Sequence, residues 1–200
     1  MKPSSYPRIA LLLALWFTTA IAAPLQIFRT LVNFDDSNGA LPNFILQGTD
    51  GKLWGTTFGS GPTYCGTAFK MSSTGVLTTV LTLKCSADFS DGNEPQGLIQ
   101  GTDGNFYGVT FFGGSNEDGS VFKLTPNGVF TTLVSFNVTN GSGPVGMLTE
   151  GTDGDFYGAT YGGGQSGWGT LFKVTPTGTL TTLYQFDFTH GAQRLTLGWY

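Results

Sequence analysis

The chain has 200 residues, a formal charge of −4, 11% charged residues, 14% aromatics and 31 glycines. Few charges with many aromatics exclude intrinsic disorder. Glycine without a three-residue period excludes collagen, and an acidic balance with no basic run excludes nucleic acid as a partner.

The N-terminal segment reads as an export signal. Lys2 and Arg8 precede an apolar run from Ile9 to Ala22, and Ala20-Ile21-Ala22 supplies small residues at the −3 and −1 positions of a cleavage site. The expectation is a signal peptide over 1–22 and a mature chain starting at Ala23. Losing Lys2 and Arg8 leaves seven of nine basic residues against 13 acids, a balance of −6. No later apolar run reaches 18 residues, so no membrane span is expected after cleavage. The expected location is secreted or cell-surface, a compartment that permits a disulfide between Cys65 and Cys85.

Three segments then align: LQGTDGKLWGTT from Leu46, LIQGTDGNFYGVT from Leu98 and LTEGTDGDFYGAT from Leu148. A second motif follows each, from Gly66, Gly119 and Gly169, with the core F-K-x-[ST]-x-x-G. Two motifs on one period of about 50 residues signal a repeat architecture. In the middle unit the predicted strands are Gly97–Gln100, Asn105–Phe111, Gly119–Leu124 and Val129–Phe136. Asp103-Gly104 and Asn127-Gly128 are hairpin turn pairs between apolar runs. No segment after the signal shows sustained helical periodicity. The fold class is therefore all-β: tandem four-stranded antiparallel meanders. Units lie near 37–86, 87–138 and 139–188 within a repeat domain over 27–190. An orphan fourth strand at 27–35 precedes them, and 191–200 reads as the truncated start of a further unit. Units of this size are propeller blades, of which rings usually need 4–8. Three blades with end strands imply an incomplete propeller, with a three-sheet β-prism as the alternative.

The units resemble the tandem repeats of the choice-of-anchor (GloVer) family of exported bacterial proteins. The matching stretches are GTDGNFYGVTFFGG (Gly101–Gly114), GSVFKLTPNGVFTTLVSFN (Gly119–Asn137) and their copies. GTDGKLWGTT (Gly48–Thr57) is also similar to the blade motif of two-component-regulator propellers. The first resemblance implies a propeller-like array on a secreted or surface protein, and no activity.

A meander places its tight turns on one edge and its longer connections on the other. The longer connections are Gly59–Cys65, Gly113–Asp118 and Gly162–Trp168, together with Cys85–Pro95 and Asn137–Pro144. Binding residues on repeat scaffolds concentrate on such loops. The candidates are Tyr64, Asp91, Glu94, Glu117, Asp118 and Trp168. The leading reading is a non-catalytic binding or interaction module for an extracellular glycan or protein. The alternative is a carbohydrate-active enzyme, since Asp91, Glu94, Glu117 and Asp118 could supply the two carboxylates of glycoside hydrolysis. Asp50, Asp103 and Asp153 recur in every unit, which suits turn-making better than catalysis. The aromatic pairs Leu53-Trp54, Phe106-Tyr107 and Phe156-Tyr157 alternate across a strand, so one member of each is expected in the core. One histidine, His190, two cysteines and incomplete calcium spacings imply no metal and no cofactor. Open strand edges at both ends imply self-association.

Cys65 and Cys85 flank the third and fourth strands of the first unit only. With Ser72 paired to Val76, Cys65 is expected opposite Leu83, and Cys85 two residues along on the same face. That diagonal is about 7–8 Å by Cα, a small strand-end shift from disulfide reach.

Overall fold

The computed structural model describes residues 29–59, 65–84 and 91–189. The chain divides into two compact units, Met1–Thr30 and Leu31–Tyr200, and every strand lies in the second. The expected signal peptide over 1–22, Tyr64, Cys85, His190 and the segment 191–200 lie outside the described residues.

The second unit holds three four-stranded antiparallel sheets, each a simple meander. The first contains β1 (Ala40–Gln47), β2 (Leu53–Gly59), β3 (Thr67–Met71) and β4 (Leu77–Thr82). The second contains β5 (Asn93–Gln100), β6 (Phe106–Phe112), β7 (Ser120–Leu124) and β8 (Phe130–Ser135). The third contains β9 (Ser142–Glu150), β10 (Phe156–Gly162), β11 (Thr170–Val174) and β12 (Leu180–Gln185). Among the described residues there is no helix, and none long and apolar enough to cross a membrane.

The tight turns explain the strand breaks. In the second sheet, Gly104 donates its N–H to the Gly101 carbonyl at 2.9 Å and sits at φ +79°. A left-handed residue there costs glycine little and a Cβ-bearing residue more. The β7–β8 turn closes in the same way, with the Gly128 N–H on the Thr125 carbonyl at 2.9 Å.

Sheets pack face to face in sequence. One core joins Trp54 and Ala68 of the first sheet to Leu98, Phe106, Phe122 and Leu124 of the second. The other joins Tyr107, Val109, Val121 and Val134 of the second to Leu148, Phe156, Phe172 and Val174 of the third. The middle sheet is thus apolar on both faces. This corrects the expectation for the aromatic pair: Phe106 and Tyr107 are both fully buried, because alternation sends them to opposite neighbours. Trp54 stacks on Phe106 with ring centroids 4.1 Å apart, and Tyr107 on Phe156 at 3.9 Å.

The third sheet does not pack back on the first, so the prism alternative is set aside in favour of an open propeller-like array. The first strand of the middle unit is also longer than expected. It begins at Asn93, four residues early, and takes in Pro95 across a bulge between Pro95 and Gly97. Residues 29–35 carry the fourth-strand pattern but form no ladder. Leu31 nonetheless occupies the fourth-strand place: its carbonyl faces Gly75, as those of Val80 and Leu133 face Gly128 and Gly178.

The third-to-fourth-strand ladder contains a bulge in every unit, after Ala68, Val121 and Leu171. In the first unit this shifts the expected register by one. Leu83 donates its N–H to the Gly66 carbonyl at 3.1 Å, so Leu83 is not opposite Cys65. Sequence spacing alone could not reveal the extra residue.

Candidate functional site

The repeated acids belong to the turn edge and are occupied there. Asp103 accepts the backbone N–H of Asn105 at 3.0 Å, the Asn105 side chain at 2.7 Å, the Tyr107 hydroxyl at 2.8 Å and the Lys123 ammonium at 3.2 Å. Burial raises its carboxyl pKa, but the bonds from Asn105, Tyr107 and Lys123 outweigh burial and hold it at about 2. Asp153 accepts the Tyr157 hydroxyl at 2.7 Å, while Lys173 lies 2.7 Å from Asp155 and 3.6 Å from Asp153. Asp50 accepts the Trp54 indole N–H at 3.2 Å, while Lys70 lies 5.4 Å over that ring. Each unit therefore carries one Asp–aromatic–Lys set tying its first turn to its third strand. The lysines Lys70, Lys123 and Lys173 were missed as partners, although their fixed place after the F of each repeat made them findable. Buried hydroxyl pairs recur as well: Thr57–Thr67 at 2.9 Å, Thr110–Ser120 at 2.8 Å and Thr160–Thr170 at 3.0 Å.

The loop edge is different in each unit. In the second, Asn93, Phe112, Gly113 and Glu117 line an open cavity of about 200 Å³. Phe112 leaves its ring exposed at the rim. Glu117 sits at φ +63° and Glu94, next to Asn93, at φ +58°. Both are left-handed conformations that cost a Cβ-bearing residue on the order of 1 kcal/mol. The corresponding residues of the third unit are glycines, Gly167 at φ +77° and Gly143 at φ +60°. In the first unit Leu41 takes the Glu94 position, at φ +55°.

Local bonding fixes these positions. Glu117 donates its N–H to the Gly114 carbonyl at 3.2 Å, as Gly167 does to Gly164. Glu94 donates its N–H to the Cys65 carbonyl at 3.2 Å, which anchors the cavity wall on the preceding sheet. Burial holds the Glu94 carboxyl pKa above its ordinary value.

The other expected residues do not join this group. Asp118 accepts the Ser142 hydroxyl at 2.6 Å and, through its carbonyl, the Gly143 N–H at 2.9 Å; it fastens the third sheet to the second. Asp91 is half-buried and does not line the cavity. Trp168 packs on Phe188 at 5.9 Å on the loop edge of the third sheet. Cys65 is fully buried. Among the described residues no three His, Cys, Asp or Glu side chains converge as a metal-ligand group.

Together the sheets and loops define a tandem β-repeat protein of propeller-like architecture. The chain belongs to the Gloeobacter/Verrucomicrobia repeat family, whose model matches residues 19–198. No curated protein matches it. Among solved structures it is similar to the extracellular domains of two proposed hybrid two-component systems of B. thetaiotaomicron. The first has 18% identity and a TM-score of 0.48 over 71% of this chain and 16% of that one. The second has 14% identity and a TM-score of 0.49 over 80% and 19%. It is also similar to a proposed gluconolactonase at 20% identity and a TM-score of 0.45, over 70% of this chain. The chain spans 46% of that protein's length, and less than a fifth of the other two.

Proposed function

We propose that the chain is a non-catalytic extracellular β-repeat module that binds its ligand at the loop edge of the second sheet. The observation that carries this reading is Glu117, which lines the cavity with left-handed backbone where the third unit uses glycine. Strain retained at an acid in a concavity is characteristic of sites kept for their side chains. An exposed aromatic ring beside amide and carboxylate groups suits a polyhydroxylated ligand, which stacks one face and hydrogen-bonds its rim. The export pattern over residues 1–22 and the family's exported relatives support an extracellular location.

The test is a glycan array followed by calorimetry on the wild type, Phe112→Ala and Glu117→Gly. Glu117→Gly removes the carboxylate and relieves the backbone, so it is expected to lose binding while keeping or gaining thermal stability. Equal binding by the wild type and both variants overturns the site.

One observation favours the carbohydrate-active enzyme as a second reading. The raised pKa of Glu94 is the property a general acid needs. A panel of glycoside substrates separates the two readings. Turnover that disappears in Glu94→Gln establishes the enzyme.

A further inference from the structure

One loop of the second unit departs from its copies at two places, and both departures line the same cavity. Phe112 stands where the first and third units have Gly59 and Gly162, and Glu117 stands where the third has Gly167. Glycine ends the second strand of the other two units, so the strand does not need a ring at that place. Phe112 nonetheless keeps its ring 47% exposed. An apolar ring held in water at a concavity gains free energy when a ligand covers it.

The aromatic surface continues past this cavity into the third unit. The Phe112 ring meets Phe111 edge-on at 4.6 Å, and Phe111 lies 6.3 Å from Tyr161 of the third sheet. Phe111 is half-buried and packs across the junction, where a Cβ on Gly143 would come within 3.1 Å of its ring. Tyr161, like Phe112, is 47% exposed. The run therefore has a fixed middle ring and two open end rings, one on each unit. At the first junction Phe58 takes the place of Phe111, but Gly59 beside it supplies no ring.

Polar groups accompany both end rings. Asn93 and Glu117 stand beside Phe112. At the other end the Tyr161 hydroxyl has no hydrogen-bond partner among the described residues, whereas the Tyr107 and Tyr157 hydroxyls are given to Asp103 and Asp153. Among the described residues no lysine or arginine lines the cavity, and the charged group that does is the Glu117 carboxylate. A negative edge on a chain of negative net charge repels an anionic ligand.

We propose that the ligand is a chain of linked, uncharged sugar rings that crosses the second junction, stacked on Phe112 at one end and on Tyr161 at the other. The proposal rests on the Phe112 cavity being the binding site and adds a second subsite to it. A sugar ring offers an apolar C–H face to an aromatic ring and hydroxyls at its rim, which Asn93, Glu117 and the Tyr161 hydroxyl meet. Phe112 and Tyr161 have all of Phe111 between them, so one sugar ring does not stack on both. A chain anchored on Phe112 presents its next rings to Tyr161 at high effective concentration. Tyr161 therefore strengthens the binding of chains and leaves single rings unaffected.

The test is a length series measured by calorimetry: cello-, xylo- and manno-oligosaccharides from one to about six rings, with oligogalacturonate as the anionic chain. The proteins are the wild type, Tyr161→Ala and Tyr161→Phe, each checked for folding by circular dichroism. In the wild type, affinity for at least one neutral series is expected to rise with chain length, and oligogalacturonate is expected to bind more weakly. Tyr161→Ala is expected to lose about fivefold against the long chains, the size of one aromatic stacking contact, and nothing against single rings. Tyr161→Phe keeps the ring and is expected to retain most of the gain. A wild-type affinity that is flat with length, a length gain that survives in Tyr161→Ala, or a preference for oligogalacturonate overturns the subsite and leaves the Phe112 cavity standing. Failure of the wild type to bind any of the four series at any length overturns the subsite and the glycan reading of the cavity together.

Discussion

The second and third sheets are near-copies in sequence with opposite fates at one face. Val121, Val134 and Tyr107 vanish into a junction, whereas Leu171 and Tyr184, at the first two of these places, stay in contact with solvent and Tyr157 is only half covered. The strands, turns and ladders hardly differ between them. Among the described residues nothing packs on that face of the third sheet, yet its hydrogen bonds and turns match those of the second. The apolar pattern encodes a junction, whether or not these residues fill it.

The largest expected effect separates a filled leading half from an open one. Phe106 of the second sheet is fully buried against Trp54 of the first, so Phe106→Ala should cost about 3–5 kcal/mol in denaturant unfolding. Leu53 holds the same place on the first sheet and is only half-buried. Leu53→Ala should cost about 1 kcal/mol. Equal losses would mean that the stacked rings add nothing beyond the sheet itself.

The bridge between Cys65 and Cys85 is next in size. The bulge at Val80 brings the fourth strand one residue further along than regular pairing allows, which favours the approach. Closing a loop of this length is worth about 3 kcal/mol. Reduction, or Cys65→Ser, should lower stability by about that amount, and alkylation of the unreduced protein should label no thiol. Two alkylated cysteines in freshly purified, unreduced protein would dismiss the bridge. With the bridge present, the first sheet, which alone carries the pair, should respond to reduction more than the other two in hydrogen exchange.

A smaller contrast concerns the trailing faces directly. Val121→Ala opens a cavity in a packed junction and should cost about 2 kcal/mol. Leu171→Ala, at the same place on the open face, should change stability by under about 0.5 kcal/mol in dilute protein. A large loss from Leu171→Ala in dilute protein would show that something in the chain already covers this face.

Most of the architecture was legible because it is written three times. The GTDG turns, the second hairpins and the twelve strands follow from a repeat in which chance matches cancel. Much of what escaped occurs between units. The burial of both Phe106 and Tyr107 depends on a sheet having two neighbours, a fact no single strand carries. The ladder bulges leave no trace in spacing. The loop edge was expected as a region, but the left-handed backbone of Glu117 beside the cavity was not; it is visible in sequence only as a glycine at the same place in the third unit. Asp118 looked like a site acid and serves instead as an acceptor for Ser142. The lysines were passed over because a lone surface cation usually pairs with water.

The smallest expected effect tests those Asp–aromatic–Lys sets. Asp103 is held at about 2 by hydrogen bonds that need its charge. A carboxyl whose folded pKa lies below its unfolded value stabilises the fold above the unfolded pKa, and that contribution is lost as pH falls through the folded one. The window here runs from about pH 4 down to about pH 2. Asp103→Asn should cost about 1 kcal/mol at pH 7, discounted from the full shift because the side chain is partly exposed. The gap between the wild type and the variant should close as pH drops through that window. Adding 1 M salt should remove only the Lys123 share, since the bonds from Asn105 and Tyr107 are short-range. Asp153 is also held below its ordinary value, first by the Tyr157 hydroxyl, but on the open sheet and without the side-chain amide that Asn105 supplies. Asp153→Asn should therefore cost less than Asp103→Asn at every pH, and a thermal-melt series from pH 7 to pH 2.5 on both variants measures the difference. A gap for Asp103→Asn that stays constant with pH would remove the charge from the account and leave only the shape of the turn.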